Sequence, residues 1–262
     1  MTIAKLIVAA AALTFTMASA VAGQTKEFVE SPTAPPKLLL LVYQRFLFDK
    51  AGDRDKWEIA VARECQKIPV PNSWIDLEPV TGEPEVLWLD PFDSFEKVEK
   101  AFAEWGPIYA THPDLGRLQA QINAALSNQR TVIAVRREDL SYRANRIDLS
   151  KARFMRVLEA RLHPGHEDAF AEAFKKLSAA YEKTESDLPW VVYQVNLGMP
   201  SPTFFAFVPM KTLRQNDDLL KRRETLRAAQ GEAAERMQQI ACDAYASTES
   251  NLYSISPDKS HV

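Results

Sequence analysis

The chain has 262 residues, 46% of them hydrophobic and 26% charged, and its formal net charge is -3. This composition excludes a disordered chain, and the near-balance of charge argues against a nucleic-acid partner, which requires a basic surplus. The eight glycines are never closer together than ten positions, which excludes the glycine-rich loops that cradle phosphates or carry a nucleophilic serine.

The N-terminal segment predicts export. Lys5 precedes an apolar run from Leu6 to Phe15, and alanines at positions 18, 20 and 22 fit a cleavage site. The run is shorter than the roughly 20 residues that span a bilayer. We therefore predict a signal peptide over residues 1–22 and a periplasmic or secreted protein without membrane contact after cleavage. An uncleaved anchor is the alternative. A Pro-rich linker follows over residues 23–36.

Each half of the remaining chain predicts the element order β-α-β-β-α-β. First strands are expected over residues 38–48 and 154–163, followed by helices that begin at residues 53 and 167. Ser94 and Thr212 follow prolines and are expected to cap later helices. In the first half, the helical stretch after Ser94 is expected to be interrupted at Gly106-Pro107 and again before Pro113. Cys65 and Cys242 are the only cysteines, and they form either one disulfide or two separate buried thiols.

The two halves also match each other in sequence. Four segments recur in the same order at offsets of 116 to 120 residues: Leu41–Arg45 over Val157–Arg161, Leu77–Gly82 over Tyr193–Gly198, Val86–Phe95 over Phe204–Leu213, and Thr131–Val135 over Asn251–Ile255. Ordered matches of this kind predict a duplication, with repeat 1 over residues 37–146 and repeat 2 over residues 151–262. The predicted fold class is α+β: tandem ferredoxin-like units whose open sheet faces pack together as an intramolecular α+β barrel.

One stretch carries a family resemblance. Residues 161–170 combine a strand end, a Pro-Gly turn and a helix start, and the hairpin from Trp190 to Pro209 follows. This order resembles the dimeric α+β-barrel superfamily, which includes antibiotic-biosynthesis-monooxygenase-like and NIPSNAP-like proteins. The resemblance implies the fold over both halves and permits a cofactor-independent oxygenase. Relatives that handle haem exist, but His163 and His166 match no family motif, so no cofactor is predicted.

Period-two alternation assigns side chains to the two faces of each strand. In the second strands, the apolar row of Ile75, Leu77, Val191 and Tyr193 is expected to face the helices. The opposite row and one row of the first strands are expected to face the shared interior. Together these interior rows supply the predicted ligand-binding residues: Tyr43, Arg45, Trp74, Asp76, Glu78, Glu159, Arg161, Trp190, Gln194 and Asn196. A structural layer of ion pairs, or a solvated face, is the alternative.

Catalytic residues are less well indicated. His112, at a junction between helices, and Glu159 are the candidates for an acid or base. Pro164-Gly165 separates His163 from His166, and nothing nearby supplies further ligands, so no metal is predicted. The function predicted first is an exported protein that binds a small organic ligand between its sheets. A cofactor-independent monooxygenase-like enzyme and a structural or interaction barrel are the alternatives. The barrel is expected as a monomeric pseudo-dimer or a homo-oligomer.

Overall fold

Eight antiparallel strands close into a barrel. The computed structural model describes residues 35–183, 188–230, 239 and 242–262, so the predicted signal peptide and most of the linker lie outside the described residues. The strands are β1 (Leu38–Phe46), β2 (Trp74–Pro79), β3 (Glu85–Phe92), β4 (Leu126–Tyr142), β5 (Phe154–Leu162), β6 (Trp190–Leu197), β7 (Thr203–Met210) and β8 (Tyr245–His261). Their order around the barrel is β1-β3-β2-β8-β5-β7-β6-β4.

Both halves use the same strand order. The first half contributes β4-β1-β3-β2 and the second β8-β5-β7-β6. Because every neighbouring pair is antiparallel, β1 and β5 run in the same direction along the barrel. Corresponding residues of the two halves therefore lie at the same end of the barrel. The sheets meet directly, as the sequence predicts, and not through their helices.

The helices lie outside the barrel. They are α1 (Ala51–Cys65), α2 (Phe95–Thr111), α3 (Pro113–Ala125), α4 (Glu167–Lys183) and α5 (Arg214–Gln230). The Ser94 side chain caps α2 by accepting a hydrogen bond from the Lys97 N–H, as predicted. The predicted break at Gly106-Pro107 is wrong, because α2 continues to Thr111. Ile108 and Tyr109, beyond the proline, pack into the cluster around Trp74, and this burial holds the chain helical despite one lost backbone hydrogen bond.

Two long strands join the halves. β4 pairs with β1 through its first part and with β6 of the other half through its last part, and β8 pairs in the same way with β5 and β2. Both strands have 17 residues, and they begin 119 positions apart. The predicted offset of 120 for this segment is therefore one residue too large. A one-residue slip assigns every side chain to the wrong face of a strand.

The barrel interior is apolar. Its buried side chains come from both halves: Leu39, Leu41, Tyr43, Leu77, Leu87, Leu89, Val132, Ala134, Met155, Val157, Val191, Tyr193, Val195, Phe205, Phe207 and Tyr253. Ile75, Leu77, Val191 and Tyr193 thus line the interior and do not face the helices, contrary to the prediction. Strands surround the interior on every side, so it is the driest place in the fold and takes the more apolar row.

One end of the barrel is closed by the chain itself. The Tyr193 hydroxyl donates a hydrogen bond of 2.9 Å to the carbonyl oxygen of Pro36. Ala144 and Ile147, from the connection between the halves, pack against the interior cluster. Among the described residues, no helix is long and apolar enough to cross a membrane.

Candidate binding site

A cavity of about 120 Å³ opens at the end of the barrel toward which β1 and β5 run. Strands of both halves and the turn between β2 and β3 supply its walls: Tyr43, Glu83, Glu85, Arg130, Val157, Glu159, Glu249, Asn251 and Tyr253. The apolar interior forms the floor of this cavity, since Tyr43, Val157 and Tyr253 also belong to the interior cluster. A buried apolar floor with polar side chains around it is typical of a small-molecule site.

The polar groups at the centre of the cavity lack close partners. Tyr43 and Tyr253 are each only 5% exposed, no hydrogen bond joins either hydroxyl to another described residue, and neither hydroxyl is among the solvent-excluded unpaired atoms. The nearest cation to Glu159 is Arg130, whose Nη2 lies 3.9 Å from Glu159 Oε2, too far for a strong hydrogen bond. The Arg130 guanidinium instead stacks on Tyr43, 4.0 Å from the ring centroid.

The rim of the cavity is better paired. Arg45 Nη2 lies 2.9 Å from Glu83 Oε2 and 3.4 Å from Glu85 Oε1. The Asn251 side chain donates a hydrogen bond of 2.7 Å to Glu249 Oε1. Because the Arg45 side chain is 39% exposed, its ion pairs are screened by solvent and contribute little stability.

Burial and repulsion between negative charges perturb the acids of the cavity. The pKa of Glu159 is raised, mainly by burial and further by the carboxylates of Glu249 and Glu85, while Arg130 opposes the shift. Burial also raises the pKa of Tyr253 to about 12 and that of Tyr43 well above its ordinary value. Both tyrosines are therefore neutral phenols at physiological pH, able to donate or accept hydrogen bonds.

The two halves place different chemistry at corresponding positions of the cavity. Tyr43 and Glu159 are the sixth residues of β1 and β5, and Arg130 and Glu249 are the fifth residues of β4 and β8. In the first half Tyr43 lies directly opposite Arg130 on the neighbouring strand, and in the second half Glu159 lies opposite Glu249. One half thus presents an aromatic ring with a cation, and the other presents two carboxylates side by side.

A second polar cluster lies between α1 and the barrel, outside the cavity. Arg54 Nη2 lies 2.7 Å from Glu78 Oε1, and the Lys259 ammonium contacts Asp55, Glu58 and Glu78. Both side-chain oxygens of the fully buried Asp76 lack a hydrogen-bond partner among the described residues. Burial raises the pKa of Asp76 well above its ordinary value, and the carboxylates of Glu78 and Glu58 add to this shift.

This cluster already contains its own cations. Carboxylate oxygens of Asp55, Glu58 and Glu78 lie within 4.8 Å of one another, a spacing that would suit a metal ion. The Lys259 ammonium, however, lies within 3.2 Å of an oxygen of each of these three residues. We therefore assign a structural role to the cluster: it attaches the end of β8 to α1 and β2.

The structure brings only part of the predicted site together. Tyr43 and Glu159 line the cavity, and Arg45 lies beside it at the rim. Arg161 lies at the exposed end of β5. His112 lies at the exposed junction of α2 and α3, where its Nδ1 is 3.1 Å from the Ile108 carbonyl oxygen, and it does not line the cavity. The predicted burial of Arg161 is therefore wrong, whereas Arg45 is partly buried.

The predicted interior row of the second strands lies on the helix side of the barrel: Trp74, Asp76, Glu78, Trp190, Gln194 and Asn196. Trp74 packs with Cys65 and Leu115 of the helices, and Trp190 packs with aromatic residues of α4. The Gln194 side chain accepts a hydrogen bond from Arg137, and Asn196 is exposed. Large indole rings fill the uneven space between a helix and a sheet, whereas Glu78 contacts Arg54 and Lys259 there.

Seven of the nine residues that line the cavity were not predicted as site residues from the sequence: Glu83, Glu85, Arg130, Val157, Glu249, Asn251 and Tyr253. A signal for two of them was present, because Arg130 and Glu249 correspond at the offset of 119 that the structure shows. The offset of 120 concealed that relationship. Another depression, of about 440 Å³, lies on the outer surface of α1 among Lys56, Arg63 and Lys67. It is open to solvent and lacks convergent buried polar groups, so we do not regard it as a binding site.

Comparison with solved structures identifies the architecture. A proposed monooxygenase from Lactobacillus acidophilus NCFM superposes with a TM-score of 0.53 at 7% identity, covering 86% of this chain and 95% of that one. An anthrone oxidase-like protein superposes with a TM-score of 0.54 at 14% identity, and the match covers 84% of this chain and 92% of that one. The chain shares the α+β barrel fold of these two proteins.

A third neighbour has a different activity. A variant of chlorite dismutase from Candidatus Nitrospira defluvii gives a TM-score of 0.54 at 8% identity, covering 85% of this chain and 92% of that one. No protein-family model and no curated protein matches the sequence. At these identities the likeness shows the fold alone, and the neighbours are named for different activities.

Proposed function

We propose that this protein binds a small polar organic molecule in the cavity at the end of its barrel. One observation carries the proposal: the Tyr43 and Tyr253 hydroxyls and the Glu159 carboxylate converge on the cavity without close hydrogen-bond partners among the described residues. None of these polar atoms is sealed from solvent, so each can be reached from the cavity. A bound molecule with complementary polar atoms would therefore hydrogen-bond to them directly.

The size of the cavity limits the ligand. A volume of about 120 Å³ corresponds to roughly four water molecules at their volume in the liquid. A ligand of that size has only a few non-hydrogen atoms inside the cavity, and any larger part projects through the open mouth into solvent. The proposal therefore differs from the sequence-based expectation of a ligand between the sheets, because packed side chains fill that interior.

Native mass spectrometry of the purified full chain tests the proposal. We expect a bound compound, or binding of added small alcohols, amines or carboxylates, that Tyr43→Phe and Glu159→Gln each weaken at least tenfold. Tyr109→Phe and Glu64→Gln are matched controls on the helix side of the barrel, and binding to them should be unchanged. If no such molecule binds the native chain, or if all four variants bind equally, the proposal is wrong.

A second candidate function is a cofactor-independent oxygenase. Glu159 favours it, because a buried carboxyl with a raised pKa can accept a proton from a substrate and lies in the same cavity as the Tyr43 phenol. Two structural neighbours are described as a monooxygenase and an anthrone oxidase-like protein, which supports the same candidate. Oxygen consumption with small quinols that Glu159→Gln abolishes and His112→Ala leaves unchanged would establish it. A barrel with a purely structural or interaction role would show neither binding nor turnover.

We also propose that the chain is exported and that its halves are copies of one ferredoxin-like unit. The apolar run after Lys5 supports export, and the shared strand order of the halves supports duplication. Fractionation of cells that express the full chain, with the N-terminus of the product sequenced, tests the first point. A product that retains Met1 in the cytoplasmic fraction would contradict it.

A further inference from the structure

The cavity contains more negative than positive charge. Four carboxylates line it, from Glu83, Glu85, Glu159 and Glu249, whereas the only cation among the lining residues is Arg130. Arg45 compensates Glu83 and Glu85 from the rim. Of the remaining two carboxylates, that of Glu159 has Arg130 at 3.9 Å, whereas that of the exposed Glu249 contacts no cation and accepts a hydrogen bond from Asn251. The side chains that line the cavity therefore carry more negative than positive charge.

The arrangement of these two carboxylates is unfavourable in the absence of a ligand. Glu159 on β5 and Glu249 on β8 are directly opposite each other in the antiparallel ladder, and both face the cavity. Like charges at such positions destabilise a sheet. At the corresponding position of the first half, Tyr43 lies opposite Arg130, so the fold does not require two acids there. The repulsion would be relieved by a positive charge placed between the carboxylates.

Aromatic walls complete a site suited to a cation. The Arg130 guanidinium stacks on the Tyr43 ring, 4.0 Å from its centroid. This side of the cavity therefore accommodates a positive group through a cation–π contact. The Tyr253 phenol, which has no hydrogen-bond partner among the described residues, can accept a hydrogen bond from an N–H donor. A carboxylate ligand would meet Arg130 but would also face Glu159 and Glu249.

We propose that the molecule bound in this cavity is a small organic ammonium ion, with its N–H groups donating to Glu159 and Glu249 and its carbon atoms against the tyrosine rings. This inference rests on the proposed function and specifies the ligand class. Repulsion by Glu249 contributes to the raised pKa of Glu159, so binding of a cation should lower that pKa and release protons. Affinity should then increase as the pH rises and Glu159 becomes ionised.

Three probes of similar size separate charge from shape: ethanolamine as a cation, ethylene glycol as a neutral molecule and glycolate as an anion. Binding to the full chain is measured by isothermal titration calorimetry in phosphate buffer at pH 8, because amine buffers would compete. We expect ethanolamine to bind at least tenfold more tightly than ethylene glycol and glycolate not to bind. Affinity for ethanolamine should decrease at pH 5 and with added salt.

Variants identify the charges responsible. Glu159→Gln and Glu249→Gln should each weaken ethanolamine binding at least tenfold, and Glu64→Gln on α1 should leave it unchanged. Arg130→Gln should strengthen ethanolamine binding severalfold, because it removes a competing positive charge from the cavity. A purely structural role of Arg130 would not produce that increase. Thermal unfolding of each variant establishes that it is folded, and either glutamate variant suffices if the other fails to fold.

Three results would overturn the inference in distinguishable ways. If ethylene glycol or glycolate binds as tightly as ethanolamine, the cation class is wrong while the proposed binding function stands. If none of the three probes binds and the purified chain carries no bound compound, both the ligand class and the proposed function are wrong. Stronger binding of glycolate in the native chain, lost in Arg130→Gln, would assign the cavity to anions.

Discussion

The buried carboxyl of Glu58 makes the stability of this protein depend on pH in a way that one substitution should remove. Its side chain is fully buried under α1, and burial raises its pKa from 4.5 to about 7, against the attraction of Arg54 and Lys259. The folded chain therefore retains a proton that the unfolded chain has already released. This contribution to stability is complete below about pH 4.5 and is lost as the pH rises through about 7.

The size of the effect follows from the shift. A pKa difference of this magnitude corresponds to about 3 kcal/mol of unfolding free energy between pH 4 and pH 8. Glu58→Gln keeps the shape of the side chain but removes the ionisable group. The native chain loses this contribution between pH 4 and pH 8, whereas the variant has no such contribution to lose. We therefore expect the difference in unfolding free energy, variant minus native, to shift by about 3 kcal/mol in favour of the variant from pH 4 to pH 8.

Urea unfolding monitored by tryptophan fluorescence at both pH values measures this difference. Glu64→Gln, on the same helix, is the matched control, because its carboxylate pairs with Lys67 at the surface and should change stability by less than about 1 kcal/mol at either pH. Identical pH dependence in Glu58→Gln and the native chain would refute the reasoning. Glu58 would then be ionised in the folded state, with its ion pairs outweighing the cost of burial.

Three further predictions concern the backbone, the core and the cysteines. Gly198→Ala should lower stability by about 1–3 kcal/mol in calorimetry, because its φ is +96° and a Cβ would lie 2.2 Å from a backbone oxygen of β4, whereas Gly52→Ala meets no atom and should be neutral. Phe205→Ala should cost about 3–5 kcal/mol in urea unfolding, and a smaller loss would indicate a loosely packed interior. Burial raises the pKa of Cys65 to about 12, whereas Cys242 is exposed. A thiol-specific disulfide reagent should therefore modify one cysteine in the native chain and both in urea. If neither cysteine reacts in urea, the two form a disulfide.

Local sequence signals predicted the elements well. The Ser94 cap, the hairpin turn after Trp74 and the new helix at Pro113 all depend on neighbouring residues, and the structure confirms them. The break at Pro107 was wrong because contacts distant in sequence hold α2 together beyond the proline. Local preference decides such a position only when tertiary packing does not.

Two of the nine residues that line the cavity were predicted from the sequence. Tyr43 and Glu159 were identified because the first strands alternate clearly and share an offset of 116 residues. Arg130 and Glu249 were missed because the last strands also alternate, and a register of 119 or 120 matches apolar residues about equally well. Only the ladder hydrogen bonds to β1 and β5 distinguish the two registers.

Sequence alone predicted four strands and outer helices in each half of the chain, since periodicity and turns are properties of short segments. Tertiary structure decided which row of each strand faces inward. In a single sheet the helix side is the buried one, but closure of the barrel creates a drier space on the other side, and the apolar row of β2 and β6 occupies it. That closure also brings a tyrosine and an arginine from one half to two glutamates from the other, an arrangement that neither half contains by itself.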